Sequence, residues 1–429
     1  MNFLDPYLTF RGIIKYHLFS KRFQSYSKVQ IRNYQYKKLK ILLASAYNNT
    51  KYYHNLFNNI NFNPIHDFNS LNDITKIPIL TKDVARENRN RLINKNYNNK
   101  CLKLRTSGST GEPFEINISY NAWIVEQAVI WRHWKWAGYN FRDKMGILRS
   151  YVPRDSNNII YKDRIRNFFY MSPFHMTPDN MDKYFNLIIN ENILVLRGYP
   201  SSLFIFAKYL KKCKRRISGI KFILTASEVL RKAERDLIEM IFNAKIFDHY
   251  GLADICVMMG ECEQHKGLHN YEDYGYLELQ EEGNGLEKIV GTNLHNYAMP
   301  LIRYDTGDSA IINNKHICPC CRNFPLIKKI VGRKDSCIRT SSGQEIPLVN
   351  FYTMFDNFME IDKWQIIQEN QNKIKFIISS INFSDERLKS LNNEITKRLP
   401  NEIIFKVKHN DNFVKTGEGK QPPFIRSLK

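Results

Sequence analysis

The chain has 429 residues, 43% of them hydrophobic, and 64 lysines and arginines against 42 aspartates and glutamates give a net charge of +22. That is enough apolar material for two or three domains with sizeable cores, which excludes a chain unable to fold unaided, and no apolar run approaches the length of a membrane span. The charge favours anionic partners, yet basic clusters such as Lys211–Arg216 come with no aromatic stacking platform or recognition motif, so nucleic acid is not expected and a solvated lysine-rich surface is.

From Met1 to Tyr26, Asp5, Arg11 and Lys15 interrupt every apolar stretch, so no signal-peptide shape forms and a cytoplasmic location is expected. This segment reads as a helix packed on the body of the protein, and its mixture of Phe, Ile, Leu and basic residues also suits peripheral contact with an anionic membrane surface. The Pro/Asn-rich stretch Asn61 to Asn72 reads as a loop. Between the alternating Leu102-Lys103-Leu104 and Phe114-Glu115-Ile116 lies Thr106-Ser107-Gly108-Ser109-Thr110-Gly111, with four hydroxyls and two glycines in six residues. Glycine lets backbone bend closely around an anion, and hydroxyls and free N–H groups hold phosphate oxygens. Glu112 stands where a Walker loop has lysine, so this is not a P-loop.

Trp123, Trp131, Trp134 and Trp136 fall on a helix-like segment and read as core. From Leu39 to about Arg333, helical patterns alternate with short apolar runs at Ile193–Leu196, Phe222–Leu224 and Lys245–Phe247, as a layered α/β body requires. After Arg333 the pattern is strand-like at Trp364–Gln368 and Lys373–Ile378, helix-like at Asp385–Arg398 and strand-like at Ile403–Lys408, which predicts a small α+β domain. The boundary is expected near Lys334-Asp335, giving domains 1–333 and 334–429.

Eight cysteines in a cytoplasmic context argue against a disulfide framework. Cys262 and His269, with His265 between them, precede Cys318-Pro319-Cys320-Cys321. Thiolates and an imidazole suit tetrahedral zinc, and either Cys320 or Cys321 can complete a pair with Cys318.

Four segments in order resemble the adenylate-forming superfamily of acyl-CoA synthetases and related ligases. Thr106–Pro113 resemble its nucleotide loop, Asp248-His249-Tyr250-Gly251-Leu252-Ala253-Asp254 its Tyr-Gly-Leu-Thr-Glu segment, Arg303-Tyr304-Asp305-Thr306-Gly307-Asp308 its Tyr-x-Thr-Gly-Asp motif, and Gly332-Arg333-Lys334-Asp335 its Gly-Arg-x-Asp hinge. Tyr52-Tyr53 with Phe57, Ile77–Lys82, Ala298–Arg303 and Cys318-Pro319-Cys320 are similar to the phenylacetate-CoA ligase branch, and Trp364–Gln368 to its capsular polysaccharide subgroup. The resemblance covers the chain from about residue 40 to its end.

It implies an α/β fold: a large layered adenylate-forming body with a small mobile α+β lid. It implies ATP as substrate and magnesium held at Asp254, where glutamate is usual. Asp308 is implied at the ribose hydroxyls, Arg333 near the ribose and α-phosphate, and His249, Tyr250 and Gly251 along the adenine or acyl pocket. Ser227 and Glu228 resemble the segment bordering adenine, and Asp335 the hinge. Lys420, in Thr416-Gly417-Glu418-Gly419-Lys420, resembles the lid lysine that meets the reacting carboxylate. For the metal, the resemblance selects Cys262, His269, Cys318 and Cys320 as structural zinc ligands. The implied activity is formation of an acyl-adenylate from an aryl, fatty or amino acid and transfer to CoA or an amine. Glu112, Asp254 and Gln421-Pro422-Pro423 depart from the family pattern, which leaves a nucleotide-binding relative without activity, or a basic nucleic-acid- or membrane-binding protein, as the alternatives.

Overall fold

The computed structural model describes residues 6–97, 101–105, 114–151, 153, 158–283, 285–312, 318–333, 337–342, 345–347, 351, 354–355, 358, 360–380, 383–400, 402–409, 412–415 and 421–427. The chain folds as two compact units, Met1–Asn140 with Phe247–Arg333, and Phe141–Ile246 with Lys334–Lys429. No helix among the described residues is long and apolar enough to cross a membrane.

The first unit opens on helices. Lys28–Asn49 begins at a capping box in which Ser27 and Gln30 satisfy each other's backbone N–H groups. At its far end the Thr50 hydroxyl accepts from Tyr53 N–H and starts the helix Lys51–Asn59. Strands Cys101–Arg105 and Glu115–Ser119 pair antiparallel with Arg105 opposite Glu115. Ser119 then caps the helix Tyr120–Trp136, accepting from Ala122 N–H. The sheet of this unit runs in the spatial order Gly275–Gly283, Leu286–Asn293, Tyr304–Ile312, Leu326–Arg333, Leu268–Asn270, Met258–Glu261, Lys245–Gly251, and each pairing of neighbours is antiparallel. Trp123 and Trp136 belong to its core, and Trp131 and Trp134 pack edge-on against Tyr139.

The second unit holds strands in the order Phe222–Ala226, Val195–Gly198, Met145–Leu148, Phe168–Met171, Ile160–Asp163. The first four are parallel and the last is antiparallel. Helices Pro178–Asn190, Pro200–Lys212 and Lys232–Phe242 supply Tyr184, Ile188, Leu203, Phe206, Ile238 and Ile241 to its core. Its C-terminal part is a four-stranded sheet in the order Ile404–His409, Lys373–Ser380, Ile361–Asn370, Phe424–Arg426, with the helix Asp385–Thr396 burying Leu391 and Ile395 against it. The α/β body and α+β C-terminal region expected from the apolar patterns are both present. The edge strand Phe424–Arg426, pairing parallel with Ile361–Asn370, is an addition that three residues are too short to announce.

Candidate functional site

In the first unit the segments that carry the sequence motifs brace one another. Tyr53 OH accepts from Ile302 N–H at 2.8 Å. Leu80 bridges Tyr304, its N–H donating to Arg303 C=O and its C=O accepting from Asp305 N–H. Arg303 adopts φ +51°, a conformation costly for a residue with a side chain, and its guanidinium is held by Glu278 and by the carbonyls of Thr75 and Ile77. The strand Tyr304–Ile312 is thereby fixed at its start, and Gly307 turns through φ +72° one residue before Asp308. Asp308 is buried, and its carboxylate accepts from Tyr250 OH at 2.7 Å. Burial, and then the Asp308 charge, hold the Tyr250 phenol well above its usual range. Asp308 lies opposite Arg333 in the ladder to the next strand.

Beside this pair, the His249 imidazole lies over Gly251, where a β-carbon would come within 2.9 Å of the ring, and stacks on His133 with centroids 5.4 Å apart. Gly260, opposite His249 in the sheet, is equally confined, since a β-carbon there would collide with Tyr271 OH. Asp254 is buried. Glu126, on the helix Tyr120–Trp136, accepts from Tyr274 OH at 2.9 Å. Desolvation first, and the Asp254 charge after the opposing Tyr274 hydrogen bond, push the Glu126 carboxyl up to about 7. Glu126 and His133 were not visible as site residues in the sequence: both sit on a tryptophan-rich helix whose composition reads as core.

In the second unit the loops at the carboxyl ends of the parallel strands carry the polar groups, the usual place for a ligand crevice in such sheets. Ser150 and Ser227, just past two of these strands, have φ of +55° and +74°. Arg149 donates to Ser227 Oγ at 3.3 Å and lies over the Tyr199 ring. The Glu228 carboxylate accepts from Ser201 N–H, Ser201 OH and Gln421 N–H at 3.0, 3.1 and 3.0 Å. The chain just beyond Lys420 is thus tied to Glu228. Arg149, Ser201 and Gln421 escaped the sequence reading because only tertiary folding brings them together.

Thr106, Ser107, Gly108, Ser109, Thr110, Gly111, Asp335 and Lys420 lie outside the described residues, and of Arg333 only the backbone is described.

The cysteine and histidine residues cluster on the loops around the strand Leu268–Asn270. The donor atoms of Cys262, His269, Cys318 and Cys320 all lie within 4.8 Å of one another, and only Cys320 is partly exposed. Cys262 Sγ is 3.5 Å from Cys318 Sγ, and Cys320 Sγ is 3.4 Å from His269 Nε2. His269 Nδ1 donates to Phe324 C=O at 3.1 Å, which leaves the Nε2 lone pair aimed at the sulfurs. His265 instead turns through φ +49° to place Nδ1 3.4 Å from Glu261, and the Cys321 thiol, on an exposed residue, donates to Pro319 C=O. Behind the cluster, Trp136 meets the His269 ring edge-on, and Arg132 makes a fully buried two-pronged ion pair with Asp273 at 2.7 and 2.8 Å.

No family model matches the chain. It is 25% identical over 354 residues to protein CapK of Staphylococcus aureus, across 80% of this chain and 76% of that one. It is 23% identical over 336 residues to a phenylacetate-coenzyme A ligase of Thermus thermophilus, across 75% and 74%. In fold it matches a crystal structure of 2-hydroxyisobutyryl-CoA ligase in the postadenylation state, with a TM-score of 0.71 and 16% identity over 95% of this chain and 91% of that one. The curated relatives and the shared fold identify an adenylate-forming ligase. Within that superfamily its similarity is to CapK and to phenylacetate-CoA ligases.

Proposed function

We propose that the chain activates a carboxylic acid with ATP and passes the acyl group to coenzyme A or to an amine. A carboxylate oxygen attacks the α-phosphorus, pyrophosphate leaves, and the acyl-adenylate is then cleaved as a thiol or amine takes the carbonyl carbon and AMP departs. What supports the reading above all is the buried Tyr250–Asp308 pair, braced by three further motif segments of the same branch. A carboxylate so held is ready to accept two ribose hydroxyls, with Arg333 near the ribose and α-phosphate.

In this reading Thr106 to Gly111 cradle the phosphates, Ser227 and Glu228 border adenine, and His249, Tyr250 and Gly251 run along adenine or the acyl group. Asp254 would be the carboxylate for magnesium, which when bound would offset charge on the phosphates; the buried Asp254 carboxylate with the half-buried Glu126 beside it suits a hard divalent cation. The Lys420 ammonium offsets charge developing between the carboxylate and the α-phosphate. Residues 334–429 act as the lid, turning at Asp335 between the two half-reactions, while 1–333 form the adenylation domain. Cys262, His269, Cys318 and Cys320 would hold a structural zinc, since four protein donors leave no position for a reacting water. The resemblance of Trp364–Gln368 to the capsular polysaccharide subgroup suggests a sugar amine of a surface polysaccharide as acceptor, and the phenylacetate-CoA ligase likeness suggests CoA. The acid is an aryl, fatty or amino acid, and the enzyme works in the cytoplasm.

Asp308→Ala removes the ribose acceptor, and ATP should bind at least about tenfold more weakly by calorimetry. Unaltered ATP affinity in a folded variant would remove Asp308 from the nucleotide site.

A further inference from the structure

The N-terminal helical segment presents two opposite faces. Gly12, Tyr16 and Ser20 are buried at four-residue steps, and a β-carbon at Gly12 would collide with Gln127 Cβ on the helix Tyr120–Trp136, so this face is locked onto the protein. Two residues out of step, and therefore on the far side, Phe10, Ile14 and Leu18 are 57%, 45% and 71% exposed. Across the wider π-helical turn Tyr16–Ser20, closed by Lys21 N–H donating to Tyr16 C=O, Tyr16 and Ser20 stay buried and Leu18 between them stays exposed, and Arg22, exposed, follows it. Arg11 and Lys21, also exposed, flank it. An outward column of large apolar side chains is not needed for folding and is costly to leave in water.

Charge selects what covers it. Between Pro6 and His66 the chain has ten lysines and arginines and no aspartate or glutamate. The net charge of the whole protein is +22 over 429 residues, so this short segment carries a disproportionate share. A bare cationic surface would suit nucleic acid equally, but a column of Phe, Ile and Leu flanked by cations matches a bilayer interface, where apolar side chains enter the acyl boundary while Arg and Lys reach the headgroup phosphates.

We propose that the outer face formed by Phe10, Ile14, Leu18, Arg11, Lys21 and Arg22 docks this protein on an anionic membrane surface. The docking is peripheral and reversible, with the helix lying in the plane of the interface.

Sedimentation of the full chain with vesicles of phosphatidylcholine and phosphatidylglycerol at 3:1, and of phosphatidylcholine alone, tests it without nucleotide or acid, and so independently of the catalytic reading. The protein should sediment with the anionic vesicles at low salt, release as salt rises, and stay in solution with the neutral ones. Phe10→Asp/Ile14→Asp/Leu18→Asp should weaken anionic-vesicle binding at least about tenfold, with the single Leu18→Ser falling between it and the parent and the thermal midpoint of Leu18→Ser unchanged. Failure to sediment with anionic vesicles, or undiminished binding by both variants, would overturn the proposal. So would retention on duplex DNA in place of vesicles, or a dimer in lipid-free solution that the Leu18→Ser change dissociates.

Discussion

Asp254 stands where the family has glutamate, and one methylene fewer shortens its reach toward a cation. The same neighbourhood contains a second carboxylate, Glu126, contributed by the helix Tyr120–Trp136 and held by Tyr274 OH. Its folded-state value of about 7, against 4.5 for an ordinary glutamate, makes a definite prediction. A carboxyl raised in this way favours folding fully below its unfolded value, and that contribution is lost as pH rises through about 7. Glu126→Gln keeps the acceptor for Tyr274 and abolishes the titration. Denaturant unfolding of the ligand-free protein should therefore show the parent losing on the order of 2 kcal/mol relative to Glu126→Gln between acid and neutral pH; parallel curves would show that Glu126 does not titrate with folding. Lys420 bears on the chemistry itself. Lys420→Ala should cut adenylation by at least about a hundredfold and leave ATP binding intact, because its ammonium is needed where charge develops and not where the nucleotide is gripped. Unchanged adenylation would take this residue out of the mechanism.

Two loops converge on the strand Leu268–Asn270, and the four donor atoms that meet there join segments more than fifty residues apart in sequence. Cys262→Ser should lower bound zinc well below one equivalent, read by plasma emission spectrometry. It should also lower the thermal midpoint by roughly 5–10 °C, since losing a closed tetrahedral site costs several kcal/mol. Full stability with no zinc in the parent protein would dismiss the site. This cluster and the Asp308 strand were legible in the sequence for the same reason: the residues are chemically uncommon and occur in tight local groups. The helix Tyr120–Trp136 was legible as a helix but not as a site wall. Its tryptophans signal burial, and nothing in its spacing says that Glu126 and His133 turn toward His249 and Asp254 while Arg132 turns toward Asp273. Ser201, Arg149 and Gln421 were silent for another reason. Ser201 follows one strand, Arg149 another, and Gln421 comes from the C-terminal part, so their shared neighbourhood around Ser227 and Glu228 exists only in the folded unit.

At the scale of the whole molecule, the order of apolar runs specified a layered α/β body and an α+β region after Arg333, because strand and helix periods differ enough to be told apart. The packing of 141–246 with 334–429 into one unit was not legible: it depends on particular pairs such as Arg231 over Trp364 and Lys208 with Ser379. The central claim is that this protein makes acyl-adenylates, and reversal of that step is its most direct signature. With magnesium present, labelled pyrophosphate should enter ATP only when the right carboxylic acid is supplied, one acid from a panel of aryl, fatty and amino acids standing well above the rest and the signal vanishing in Lys420→Ala. Exchange that is absent with every acid in a protein that also fails to bind ATP would contradict the account.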